Sequence, residues 1–198
     1  SLYGPLKIGA LSIQTTQQRI EISDLLLDWS PLALLSKQVK FSTLRAQRVR
    51  VTELGASSEP LTLPDTLQLP VRLSLPDIRI ERLEYLAFKP SGNGLVLTGI
   101  ELALKRSSNQ FALDLRQLTS DWGALRGDLV LDDTRPFKIT ANLHAKQGQG
   151  YVYAAEAKAS GTLSQLIVDA SAKGLGSDAT LKAQLAPFDA EPLVSARG

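Results

Sequence analysis

The chain has 198 residues, of which 43% are hydrophobic, and this is enough to bury the core of one or two domains. Its 22 lysine and arginine residues almost balance 20 acidic residues, and a net charge of only +2 gives little affinity for nucleic acid. The absence of cysteine and the single histidine exclude disulfides, zinc–thiolate sites and a histidine-rich metal site. We therefore expect no metal, no cofactor and no nucleic-acid partner.

The sequence contains no methionine, even at position 1. We interpret residues 1–198 as one continuous segment of a longer or processed protein, with any signal or membrane anchor outside it. The longest apolar runs are only a few residues, which is too short for a helix that spans a bilayer.

Apolar and polar residues alternate in segment after segment, beginning with Ile20 and Ile22 on either side of Glu21. A period of two is typical of β-strands with one apolar and one polar face. Turn-forming runs such as Ser107–Asn109 and Gly174–Asp178 separate the segments. The pattern predicts about a dozen strands joined by short hairpins, so sequential strands are expected to be antiparallel neighbours.

One segment, Leu25–Leu35, interrupts this alternation because its apolar residues run together. Ser30 is a suitable N-cap, and Pro31 fits the first position of a helix, where its missing N–H costs nothing. The pattern predicts one short helix near residues 31–36. We expect Trp29, Leu32 and Leu35 to act there as a lid or plug.

A dozen strands with one apolar face must cover that face, and too little helix is predicted to do so. A β-sandwich, a closed barrel, or a long sheet folded into a U-shaped trough with an open apolar interior would each satisfy the pattern. Leucine, with 36 of the 198 residues, is unusually frequent for a strand protein. Its flexible side chain suits loose contact with acyl chains, and an exposed apolar surface of this size marks a binding site.

The candidates for the lining of such a trough are the alternating apolar residues. The run Leu67–Leu75 is expected to form one stripe that faces the same interior as Leu113, Leu129 and Ile139. The full set is Ile20, Ile22, Val49, Val51, Leu67, Leu69, Val71, Leu73, Leu75, Ile78, Ile80, Leu95, Leu97, Leu102, Leu104, Leu113, Leu115, Leu129, Leu131, Ile139, Leu143, Tyr151, Tyr153, Val168, Leu181 and Leu185.

The polar residues do not assemble into a catalytic site. His144 has the strand parity of solvent-facing residues, and no second histidine or cysteine completes a metal or general-base site. The cluster of Asp128, Asp132 and Asp133 lacks the central glycine of a calcium loop. No set of nucleophile, base and orienting group is present, so the sequence predicts a protein that is not an enzyme.

Three stretches of the sequence carry a recognisable pattern. They are Leu27–Leu35 with the strands Val39–Ala46 and Val49–Val51, then Leu125–Leu131 with Pro136–Leu143, then Gly161–Leu163 through Leu181–Phe188. The first is a "DW-x-P-x-x-LL, then strand, then basic-apolar strand" block, and the other two are degenerate β-repeat phrases. Together they resemble the TamB family of AsmA-like proteins.

This resemblance implies an all-β fold in which a long antiparallel meander sheet forms a U-shaped trough, called a β-taco. It implies a periplasmic chain tethered to the inner membrane through a segment not present here, and an outer-membrane barrel partner reached through a C-terminal region that is also absent. The implied function is passage of phospholipid between membranes and support of outer-membrane protein assembly.

We thus expect a non-enzymatic trough whose apolar face holds phospholipid acyl chains. One alternative is a chaperone-like scaffold that receives strands of outer-membrane proteins or autotransporters by edge pairing. The other is a closed β-sandwich or barrel that acts as a binding module.

Overall fold

A computed structural model describes residues 4–30, 32–33, 38–55, 63–87, 94–120, 123–147, 153–174, 176–186, 188 and 193–197 of the chain. Twelve strands account for most of them, in agreement with the predicted number. They are β1 (Leu6–Gln14), β2 (Gln18–Trp29), β3 (Gln38–Glu53), β4 (Arg72–Leu86), β5 (Leu95–Ser107), β6 (Gln110–Ser120), β7 (Gly123–Asp132), β8 (Lys138–Gln147), β9 (Tyr153–Thr162), β10 (Leu166–Gly174), β11 (Ser177–Ala186) and β12 (Leu193–Arg197).

All twelve strands belong to one sheet, in which their spatial order is their order along the chain. The sheet is open, with β1 and β12 at its two edges, and it does not close into a barrel. The predicted all-β meander is therefore confirmed, and the closed-barrel alternative is wrong.

The expectation that every sequential pair is antiparallel is wrong for β3 and β4, which run parallel. Parallel neighbours need a crossover of a dozen or more residues, and the connection 54–71 is long enough to provide one. The predicted strand through Leu67–Leu75 is accordingly shorter than expected, because β4 begins only at Arg72. Leu67, Leu69 and Val71 lie in the connection and not in the sheet.

The predicted helix near residues 31–36 falls mostly outside the described residues. Leu32 and Ala33, which are described, form a single turn closed by a hydrogen bond from the Ala33 N–H to the Ser30 carbonyl (3.1 Å). Trp29 is the last residue of β2, where it pairs with Phe41 of β3 next to a bulge. Among the described residues there is no helix, and none therefore that could span a membrane.

One face of the sheet, called here the inner face, carries a continuous row of apolar or small residues. Register pairs join this row across eleven strands without interruption. The row is Leu6, Leu27, Leu44, Ile78, Leu102, Leu115, Gly127, Leu143, Ala157, Ala170 and Leu181. Gly127 belongs to it because a Cβ at this position would collide with the Asn142 carbonyl and the Leu143 side chain.

In β1 to β6 the apolar pattern takes a step of three residues instead of two near the middle of each strand, and β4 takes a second such step from Leu75 to Ile78. The mid-strand steps are Ile8 to Leu11, Ile22 to Leu25, Ala46 to Val49, Ile80 to Leu83, Leu97 to Ile100 and Leu115 to Leu118. Pairs such as Ile22↔Val49 and Val49↔Leu83 place these steps side by side. Asp24 (φ 51°) and Gly99 (φ 58°) take up the extra residue in the left-handed region, so that apolar side chains stay on the inner face beyond it.

Burial on the inner face differs between the two halves of the sheet. Leu25, Ala46, Leu75, Ile78 and Ile100, which lie on β2 to β5, are all buried. Leu143 and Leu181, on β8 and β11, remain 42% and 43% exposed. The first half of the inner face is therefore a packed core, whereas the second half is open.

A cap of buried residues closes one end of the sheet, where the crossover connection returns to begin β4. Arg106 of β5 donates to the Asp133 carboxylate from Nη2 (2.5 Å) and Nε (3.2 Å) and to the Val71 carbonyl from Nη1 (3.1 Å). The Leu67 N–H donates to the Asp133 carbonyl (2.9 Å), and the Asp133 N–H donates to Asn109 (2.8 Å). Asp133 thus ties the crossover connection to two hairpins, and we call this end the capped end.

The Asp133→Ala variant should lose about 3–5 kcal/mol of unfolding free energy, because it leaves the buried Arg106 guanidinium without its carboxylate. Asp114→Ala is the matched control, since Asp114 pairs with Arg116 at 3.6 Å on the exposed surface and should cost under about 1 kcal/mol. Urea unfolding of the two variants and the parent measures both values. Equal losses in the two variants would contradict a structural role for the cap.

Candidate functional site

The open half of the inner face contains an apolar groove of about 360 Å³ that crosses β7 to β11. The groove is lined by the inner-face side chains Leu125, Leu143, Ala145, Ala155, Ala157, Ala170, Ala172, Ala179 and Leu181, together with Glu156, Ser171 and Thr180. Its volume lies at the low end of the range of about 300–1,000 Å³ for small-molecule sites.

Alanine creates the groove. Ala145, Ala155, Ala172 and Ala179 occupy one register row across β8 to β11, and Ala157 and Ala170 occupy the next. In β2 to β6 the corresponding rows carry leucine and isoleucine, such as Leu27, Ile78 and Leu102, whose side chains fill the space above the sheet. A methyl group in place of an isobutyl group leaves a trench floored by alanine and bordered by Leu143 and Leu181.

Most of the candidate lining residues lie together on the inner face. The two early pairs meet each other, because Ile20 pairs with Val51 and Ile22 with Val49. The placed residues are Ile20, Ile22, Val49, Val51, Leu73, Leu75, Ile78, Ile80, Leu95, Leu97, Leu102, Leu104, Leu113, Leu115, Leu129, Leu131, Ile139, Leu143, Tyr153, Val168, Leu181 and Leu185.

The other candidates lie elsewhere. Leu67, Leu69 and Val71 are in the crossover connection, and Leu69 is 40% exposed. Tyr151 and Leu35 fall outside the described residues. Leu32 is exposed and Trp29 is half-buried at the end of β2, so neither lies over the groove of β7 to β11.

Sequence reasoning missed the groove alanines and the inner-face residues of β1. Ala155, Ala157, Ala170 and Ala172 follow the alternation but are not bulky, and a search for large apolar residues passes over them. Leu6 and Ile8 precede a three-residue step, which hides their period of two. Both sets of residues could have been found from the register of neighbouring strands, which shows the residues that lie side by side on one face. The hydrophobicity of single residues does not show this.

The outer face is polar, and its central carboxylate is Glu84. Arg82 Nε (2.6 Å) and Arg50 Nε (2.8 Å) donate to this carboxylate, and Arg48 lies 3.8 Å away. Hydrogen bonds from Arg82 and Arg50 hold the pKa of Glu84 below its usual value. On the same face Arg79 donates to Asp77 (2.9 Å) and lowers the pKa of that carboxyl.

No metal site is assembled among the described residues. His144 lies on the outer face with its Nδ1 3.4 Å from Glu156, and both are partly exposed. No group of three histidine, aspartate or glutamate side chains in the described ranges could hold a metal ion. Tyr85 donates to Glu53 at the end opposite the cap, and this hydrogen bond raises the pKa of Tyr85.

The chain matches no protein-family model. No curated protein and no solved structure is significantly similar to it either.

Glu84 should make stability depend on pH in the acid range. Its pKa is lowered in the folded state, so its contribution is complete above the unfolded value of about 4.3 and is lost as pH falls through the folded pKa. Glu84→Gln should therefore lose less stability than the parent between pH 5 and pH 3, measured by urea unfolding. Glu81→Gln, which removes an exposed carboxylate of the same strand, should follow the parent. Identical slopes for parent and Glu84→Gln would contradict the prediction.

Proposed function

We propose that the inner face binds the acyl chains of phospholipid, with the groove across β7 to β11 as the principal contact. The observation that supports this most directly is an apolar groove on an open sheet whose bordering leucines, Leu143 and Leu181, remain exposed. A water-exposed apolar trench of this kind is stabilised when an apolar chain covers it, at roughly 0.8 kcal/mol for each buried CH₂.

The character of the groove favours a flexible chain over a shaped ligand. Repeated alanine methyl groups offer uniform contact across β8 to β11, and the groove lining contains no lysine, arginine or histidine that would fix a headgroup. A ligand held by such contacts can slide along the sheet without breaking a specific polar bond. We propose that the headgroup projects from the open side of the trough into water.

The resemblance to the TamB family supplies the biological setting of this proposal. In that setting the trough is a periplasmic conduit that passes phospholipid between the inner and outer membranes and supports outer-membrane protein assembly. In this proposal the membrane anchor lies in a segment outside these 198 residues. The outer-membrane barrel is a partner that a C-terminal region, also outside them, would contact, and the trough itself is not an enzyme.

A second function, strand capture for outer-membrane protein assembly, draws on a different feature. β1 is an edge strand, and among the described strands it pairs with β2 alone, so one side of its backbone is available for strand addition. Purification without detergent followed by lipid mass spectrometry separates the two functions. Lipid that co-purifies supports the conduit, whereas a lipid-free chain that binds an extended peptide supports strand capture.

Filling the groove should remove bound lipid without unfolding the chain. The double variant Ala157→Phe, Ala170→Phe displaces at least two methylenes of an acyl chain, which at roughly 0.8 kcal/mol each weakens binding about tenfold. Ala154→Phe is the matched control, because Ala154 is exposed on the other face of β9. Displacement of a fluorescent fatty acid reports binding, and thermal unfolding reports the fold. Equal binding by the double variant and its control would contradict the proposed path.

A charge on the inner face should stop lipid passage while leaving the fold intact. Ile139→Asp in a closed core would cost several kcal/mol, but in an open trough the carboxylate reaches water. Transfer of a fluorescent phospholipid between donor and acceptor vesicles should fall for Ile139→Asp and persist for Thr140→Asp, whose side chain lies on the outer face. A large drop in melting temperature for Ile139→Asp alone would show that the core is closed.

A further inference from the structure

The outer face carries a second groove, of about 460 Å³, at the capped end of β3, β4 and β5. It lies on the opposite side of the sheet from the acyl-chain groove and does not depend on the function proposed for it. The polar residues that line it are Gln38, Lys40, Arg72, Ser74, Lys105, Arg106, Ser107 and Ser108. Four of these eight are cations and none is an acid. Arg106 is already paired with Asp133, so Lys40, Arg72 and Lys105 are the three cations without an acidic partner among the described residues.

The register places the three cations around one residue, Ser74. Lys40 pairs with Ser74, and Ser74 pairs with Lys105, so the two lysines stand one strand away on either side, about 5 Å each. Arg72 lies two residues from Ser74 on the same strand, about 7 Å along it. Long flexible side chains at these positions can all reach one anion above Ser74.

On the inner face of the same strands, the neighbouring cation Arg106 already has an acidic partner. Arg106, which follows Lys105, points to the inner face, where it pairs with Asp133. Strand alternation therefore directs Lys105 and Ser107 to the outer groove. The hydroxyl groups of Ser74 and Ser107 add two hydrogen-bond donors to the three cations.

The lack of carboxylates here contrasts with the centre of the same face, where β3 and β4 carry five paired arginines. Arg48, Arg50 and Arg82 share Glu84. Arg45 and Arg79 share Asp77. Within the described part of the chain, Lys40, Arg72 and Lys105 form no ion pair. Like charges on neighbouring strands repel, and a bound anion would relieve that repulsion.

We propose that this groove, named the cation groove, binds a phosphate-bearing anion. A phosphate group presents several acceptor oxygens, and it can accept hydrogen bonds from two lysines, an arginine and hydroxyl groups at once. The source is either the headgroup of an anionic phospholipid or a free phosphate, and the ligand chemistry is the same for both.

The test compares two triple variants of the 198-residue chain that remove the same number of positive charges from the same face. The groove variant is Lys40→Gln, Arg72→Gln, Lys105→Gln, and the control is Arg126→Gln, Lys146→Gln, Lys158→Gln, all at exposed strand positions. One arm titrates inorganic phosphate against chloride at constant ionic strength and follows thermal unfolding. The other arm measures co-sedimentation with phosphatidylglycerol vesicles and with phosphatidylcholine vesicles.

The groove variant should bind about tenfold more weakly than the parent in at least one arm, and the control should stay within about twofold. Loss in the phosphate arm identifies a free phosphate as a ligand, whereas loss only on phosphatidylglycerol vesicles identifies a lipid headgroup. The proposal is overturned if the parent binds neither ligand, or if both triple variants weaken equally. Displacement of the fluorescent fatty acid should be unchanged in the groove variant, which keeps this outcome separate from that of the inner groove.

Discussion

The described residues form a single sheet with one apolar face and no second layer over it, and the rest of the structure depends on this constraint. Such a face must be buried by curvature, by its own side chains or by a ligand. The apolar row from Leu6 to Leu181 shows that β1 to β11 all place an apolar or small residue at the same level of the inner face. The three-residue steps in β1 to β6 keep the apolar residues there, because without them each apolar stripe would pass to the outer face halfway along its strand. In β2 and β5 the backbones of Asp24 and Gly99 accommodate the step.

The same constraint explains why the sheet needs a cap. Because β3 and β4 are parallel, a crossover connection must join them, and its last residues, 67–71, lie outside the ladder of the sheet. Arg106 and Asp133 supply the missing partners, with Asp133 fully buried and the Leu67 N–H bound to its carbonyl. Phe137, also fully buried, packs at the same end, and its carbonyl accepts from the Leu163 N–H. The most deeply buried polar pair among the described residues, Arg106 and Asp133, therefore lies at the end of the sheet where the parallel pair interrupts the antiparallel meander.

Much of this architecture could be predicted from the sequence because alternation and turn chemistry are local signals. The number of strands and the hairpin at Ser107–Asn109 follow directly from them. The parallel pair could not be predicted, because the alternation through Leu67–Val71 has the same period as a strand. No signal in the neighbouring sequence shows that this segment bonds to the loop around Asp133 and not to another strand. The groove could not be predicted either, because it results from small residues on four strands that only the register brings together. A search for bulky apolar residues finds the packed half and misses the open one.

The inner face carries leucine and isoleucine on β2 to β5 and mainly alanine on β8 to β11. The first part stabilises the fold, and the second part leaves a groove for a ligand. Leucine and isoleucine side chains on β2 to β5 bury one another and stabilise the fold. Their apolar surface is therefore not accessible to a ligand. Alanine on β8 to β11 buries little, and the ladder hydrogen bonds of those strands carry more of their stability. An open groove of this kind therefore lowers the free energy of unfolding only a little, and it gains apolar contacts when an acyl chain enters. The outer face divides similarly, with the arginines of its centre bound to Glu84 and Asp77 and the cations of its capped end left for an external anion.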